Sequence, residues 1–196
     1  MSNTLAPFGL RFVRRLDSAA VNYAVNQRQI LYSDTTPIGK GDIVKDAGSG
    51  YIAKALYNST SNDFYGVFDG AEWFDTGIGR PVFSNSWTGT TTALTGSVVG
   101  YVIVDKMAVF QVQSSGTAAV ALADIGTNAT FVAAPVPSTI TGLSTLALDQ
   151  TTLATTNTFP MRIVGLSAAV NNDNASANNV VEVIINDTAL LNLLGL

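Results

Sequence analysis

The chain has 196 residues, and its composition is 47% hydrophobic but only 12% charged. That is about half the usual charged quarter, and it excludes a disordered, charge-swollen polymer. His and Cys are both absent, which excludes imidazole bases, thiolate nucleophiles, thiolate metal sites and disulfides together, and no cofactor is expected.

The chain opens with its basic groups. Arg11, Arg14 and Arg15 precede the first acid, Asp17. The first sixteen side chains therefore carry +3 and the rest −7, within a net charge of −4. This reads as an extended N-terminal arm, residues 1–20, on an acidic body, residues 21–196; three solvated arginines on an edge strand read equally well. Charge comes after the first apolar residues, and Asp17, Asn22 and Asn26 interrupt the stretch beyond the Arg14–Arg15 pair. No signal peptide is expected from that order.

Beyond the opening segment, period-two alternation rich in Val, Ile, Tyr and Thr predicts an all-β fold. Strands are expected near 8–14, 21–32, 51–57, 64–68, 72–76, 98–104, 107–113, 129–134, 161–166 and 180–186. The two-residue connection Asp105-Lys106 predicts a hairpin between 98–104 and 107–113. Along 180–186, Glu182 shares a face with Val180 and Ile184, which predicts a half-exposed strand near a rim. Turns are marked at Gly39–Asp42, Gly48–Gly50, Gly77–Gly79 and Asn171–Asn174. Residues 135–158 carry Pro135, Pro137 and many Thr but a single charge, Asp149, and predict a long loop or projecting hairpin. The apolar end, 188–196, predicts one or two helical turns capped by Asp187.

Chemical motifs are weak. Ile38–Asp42 lacks the phosphate-loop spacing, because Asp34 stands where the first Gly is needed and Gly41 comes directly after Lys40. Asp69, Glu72 and Asp75 read as a solvated edge rather than a catalytic carboxylate pair. The loop 171–179 offers one carboxylate, Asp173, too few for a calcium site. Trp73 and Trp87, with Tyr65, Phe68, Phe74 and Phe83, read as core or as a sugar-stacking platform. No enzymatic activity is expected.

The surface raises a different question. A soluble monomer usually covers itself with Lys and Glu, and here there are four Lys and two Glu, which leaves either a Thr/Asn-rich soluble β domain or a surface covered by partners. Interface cores are depleted in charge in the same way, so other subunits are expected to cover much of this surface. So few basic groups make nucleic acid a poor partner. The uncharged stretches 81–104 and 125–148 contain Pro, Gly and Asn, so no membrane helix is expected.

Several segments in order carry a resemblance. They are Ala6-Pro7-Phe8-Gly9-Leu10-Arg11 with Val13 and Arg14, Gly41-Asp42-Ile43-Val44, Tyr65–Gly70 with Trp73 and Trp87, Val109–Gln113, Ala123–Ala129, Arg162–Leu166 and Val181–Asn186. Together, from about residue 5 to 187, they resemble the decoration or cement proteins of tailed-bacteriophage heads. The stretches 135–158 and 188–196 depart from that pattern. The resemblance implies a jelly-roll-like β-sandwich and a virion structural protein, assembled in the bacterial host cytoplasm and placed on the outer capsid surface as a homotrimer. Its implied partners are the major capsid protein and itself. On that reading Pro7 stiffens the arm, Phe8 anchors it, and Arg11, Arg14 and Arg15 bond shell carboxylates. A carbohydrate-binding or adhesion module, and a tail or fibre component, are the alternatives.

Overall fold

The computed structural model describes residues 2–20, 25–56, 64–90, 92–132 and 135–186. The expected tail helix, and parts of the strands expected at 21–32, 51–57 and 129–134, lie outside those residues. The described residues form fourteen strands and two short 3-10 turns: β1 Arg11–Arg15, β2 Val25–Ile30, β3 Ile38–Gly39, β4 Ile43–Asp46, β5 Tyr51–Lys54, β6 Phe64–Asp75, β7 Arg80–Ser84, β8 Ser86–Trp87, β9 Val99–Ile103, β10 Ala108–Ser115, β11 Asn128–Ala129, β12 Leu148–Asp149, β13 Met161–Leu166 and β14 Val180–Ile185. The all-β expectation holds. No helix among the described residues is long and apolar enough to cross a membrane.

Two β layers pack face to face. The first is an open sheet in the order β1-β10-β14-β13-β11, with β12 added to the end of β10. In the second, β4, β5, β2, β9 and β6 are neighbours in that order, and β6 pairs back to β4, so the layer closes into a five-stranded barrel. Strand β7 hangs on β6 outside the ring, and β3 pairs with β8 as a separate ribbon. Closure depends on a close approach at Gly66, where a Cβ would stand 2.3 Å from the Ile103 carbonyl oxygen.

The closure creates two cores. Ile30, Val44, Ile52, Phe68 and Val102 form one cluster with Trp73 and Trp87 on the barrel side. Ile43, Val67 and Ile103 face the other way and pack on Phe110, Val112, Ile163 and Val183 of the open sheet. Neighbours such as Ile43 and Val44, or Val102 and Ile103, thus serve different cores. A strand with both faces buried reads as a continuous apolar run. Each large side chain buried this way contributes about 1.5–3 kcal/mol before entropy is subtracted.

Several expectations are corrected. The 98–104 and 107–113 strands are not a hairpin: β9 is held by β2 and β6, while β10 is held by β1 and β14. Their short connection carries the chain from one layer to the other, because both edges of each strand have other partners. Segments 64–68 and 72–76 are one strand, β6, with a register shift between Phe68 and Gly70. Strand β14 is half-exposed as expected, but it lies inside the sheet between β10 and β13 rather than at a rim. Strand β7 is masked in the sequence by Pro81, which is tolerated because β7 pairs on one side only.

Residues 135–158 are irregular but do not project as a hairpin. Leu146, Ala147 and Leu148 are buried. Lys40 N donates to Gly142 O at 3.0 Å, and Ser144 N donates to Lys40 O at 2.9 Å. A buried ion pair pins the crossing: Lys54 Nζ lies 2.9 Å from Asp42 Oδ2. The Ser144 hydroxyl donates to Asp42, and Lys54 also donates to the carbonyls of Pro37 and Pro135.

Candidate interaction surface

The N-terminal segment lies on its own chain. Asn3 Nδ2 donates to Asp173 O at 2.8 Å, and Asp173 N donates to Asn3 Oδ1 at 3.0 Å. Ala6 N donates to Gln113 Oε1 at 2.7 Å. Leu10 is buried, and its N–H donates to Gly41 O at 2.9 Å. Strand β1 then pairs antiparallel with β10. Residues 11–15 are therefore an edge strand, the second of the two sequence readings, and not a free arm. Alternating apolar anchors at Phe8, Leu10 and Phe12 make both readings possible.

The five expected contact residues are now separable. Pro7 and Phe8 are half-buried. Phe8 stands between two depressions, one of about 490 Å³ toward the Asn-rich loop and one of about 450 Å³ between β1 and the barrel. Arg11 is exposed on the outer face of the open sheet, level with Gln111 and Glu182. Arg14 Nη2 bonds Glu182 Oε2 at 2.8 Å. Arg15 is turned back onto its own chain, 2.8 Å from Asp17 and bonded to Asp105. The hydrogen bond from Arg15, helped by the Ala19 N–H, holds the Asp17 carboxyl down to about 2.

The sheet brings in a residue the opening segment does not contain. Arg162 on β13 is exposed and pairs with Ile184, on the same outer face as Glu182. Arg11, Arg14 and Arg162 thus share one outer face with Glu182, and Arg14 is the one bonded to it. The alternation of Arg162 against buried Met161 and Ile163 is the signal that finds it.

The aromatic candidates separate in the same way. Trp87 is fully buried and Trp73 nearly so, and their rings meet edge to face at 5.4 Å and 81°. Trp87 Nε1 donates to Asp34 O at 2.9 Å. The two tryptophans are core. Among the acids near them, Asp69 pairs with Lys40 at 2.7 Å, and a hydrogen bond from Thr92 holds the Asp75 carboxyl below its ordinary value. In the 171–179 loop, Asp173 accepts from Ala175 N at 3.0 Å and from the Ser176 hydroxyl at 2.8 Å, the bonding of an Asx turn.

Apolar groups remain outside. Leu5, Ile78, Phe83, Leu122, Ile140 and Val170 are all exposed. Comparison with known protein families, curated proteins and solved structures finds no match to this chain.

Proposed function

We propose that this chain is a virion structural protein, a decoration or cement protein that binds the outer surface of a phage capsid as a homotrimer. It cross-links neighbouring major capsid subunits. The observation that carries this reading is a surface that combines little charge with exposed large apolar side chains. Such a surface is suited to burial against other subunits. A trimer that touches several shell subunits must lose several contacts together, so modest individual contacts give high avidity.

In this reading the shell contact is the arginine-bearing outer face of the open sheet. Arg11 has no ion pair among the described residues, so it offers its guanidinium to a shell carboxylate at no cost to the fold. Arg14 is shared with Glu182, and Arg15 serves the fold. Pro7 and Phe8 lie beside this face as its apolar margin.

Deleting the segment removes β1 and the Leu10 anchor, so point substitution is the sound test. The Arg11→Glu variant is expected to stay folded and to lose occupancy on undecorated heads, measured by co-sedimentation and by reconstruction of the particle. Wild-type protein is expected at three times the 20.5 kDa monomer mass in light scattering once bound and released. Unchanged occupancy of Arg11→Glu removes this face from the contact, and particles lacking the chain overturn the reading.

A further inference from the structure

We propose that the barrel flank around Phe83 is a binding site for a neutral glycan. Phe83 lies on β7 and is 71% exposed, while its neighbour Val82 packs into the barrel-side core. The register sets Glu72 beside Phe83 on one side and Val99 on the other. Tyr101 lies on the same outer face, opposite Gly70 and Gln27. Burial, and then the nearby Glu72 carboxylate, hold the Tyr101 phenol above its ordinary value.

Phe83 forms a ridge between two depressions. One, of about 310 Å³, is lined by Glu72, Phe74 and Ser97. The other, of about 360 Å³, is lined by Asp69, Gly70, Asn85 and Tyr101. Gly70 lines the second depression, and a Cβ there would crowd the Ser84 carbonyl oxygen at 3.0 Å.

This arrangement matches the chemistry of a sugar chain. A pyranose has an apolar C–H face and a rim of hydroxyls, so it needs an aromatic face and a few fixed polar groups at the margin. Phe83 and Tyr101 supply the faces. The polar groups are already held in place. Ser97 Oγ donates to Leu94 O at 2.7 Å, and Asn85 Nδ2 donates to Thr141 O at 3.2 Å. A ridge with a hollow on each side suits a chain of at least two sugar units.

Charge selects the class. Asp69 is already neutralised by Lys40 at 2.7 Å, and Glu72 has no ion pair among the described residues. An acidic sugar meets repulsion here, whereas neutral hydroxyls find acceptors. This inference does not rest on the virion reading, because the flank is distinct from the arginine-bearing face.

The test is calorimetric titration of the full chain with maltohexaose, cellohexaose and chitohexaose, with an oligogalacturonate as the acidic arm. Saturable binding of at least one neutral chain at about 1 mM or tighter, without binding of the acidic one, is expected. Phe83→Ala and Phe83→Leu are each expected to weaken it by about five- to tenfold. Phe83 is exposed, so unchanged melting curves show both variants folded. Phe83→Leu keeps apolar bulk and loses the ring, which separates stacking from plain apolar docking. No neutral binding, or equal binding by Phe83→Leu, overturns the proposal. A wild-type oligomer that dissociates in Phe83→Ala also overturns it, because a second copy then covers the ring.

Discussion

The barrel and the open sheet treat charge in opposite ways. In the barrel, Asp42 and Lys54 are withdrawn from water, and every donor of the ammonium has an acceptor: Asp42 and the carbonyls of Pro37 and Pro135. On the open sheet, Arg14 and Glu182 meet at nearly the same distance, 2.8 Å, but the arginine side chain is 46% exposed. The exposed pair contributes about 0–1 kcal/mol because water screens it and two long side chains must be ordered. The buried pair is a commitment of the fold: removing one partner leaves a charge stranded without solvent. A cation–carboxylate pair is thus a fastener in one layer and a spare contact in the other, and burial is the main difference between them.

The largest effect expected from breaking this contrast is at Lys54. Lys54→Ala leaves the Asp42 carboxylate unpaired and costs about 3–5 kcal/mol in urea unfolding. Pairing Lys54→Met with Asp42→Asn removes both charges and is expected to recover part of that loss, which a merely steric effect of Lys54 would not allow. The next effect tests the edge strand. Leu10→Ala is expected to cost about 2–3 kcal/mol, the lower end for large-to-small core changes. A free arm would register no change in the same unfolding curve.

The contrast also explains what is legible in the sequence. Strand β14 buries one face, so Val181, Val183 and Ile185 alternate with Val180, Glu182 and Ile184, and its extent is readable. At the start of β4 and in the first half of β6 both faces are buried, so Ile43-Val44 and Phe64–Phe68 carry no alternation to read. Strand β4 therefore reads only as the end of a glycine turn, and β6 reads as two segments split at Asp69-Gly70, where it bulges. The β9–β10 connection has the length of a hairpin, but turn length is local and the choice of layer is not. At the candidate sites, the arginines of β1 are visible as a run, and the sequence leaves open whether they lie on an arm or an edge strand. Arg162 and Phe83 are separated from their partners along the chain and become neighbours of them only through the sheet register. Asp42 looks like a turn residue because no local pattern announces a partner twelve residues away on β5.

The smallest expected effect sharpens the exposed side of the comparison. Asp17 is held at about 2, chiefly by its hydrogen bond from Arg15 and then by the Ala19 N–H. A folded-state value depressed below the unfolded one means that ionised Asp17 favours the fold above the unfolded pKa. The contribution fades as pH falls through the ordinary carboxylate range and is gone below about 2. Carboxyl-resolved NMR titration is expected to find the Asp17 midpoint near 2 in wild type. In Arg15→Gln the midpoint should climb toward the ordinary value, because the main cause is gone while the Ala19 bond remains. The Asp17 side chain is 42% exposed, so its share of the neutral-pH unfolding midpoint is small, and any larger loss in this variant reports on the Arg15–Asp105 bond, whose side chains are 17% and 12% exposed. A large loss of stability in Arg15→Gln would place the Arg15–Asp105 bond with Lys54–Asp42 among the fasteners, and the division between the two layers would have to be redrawn at the point where β9 hands the chain to β10.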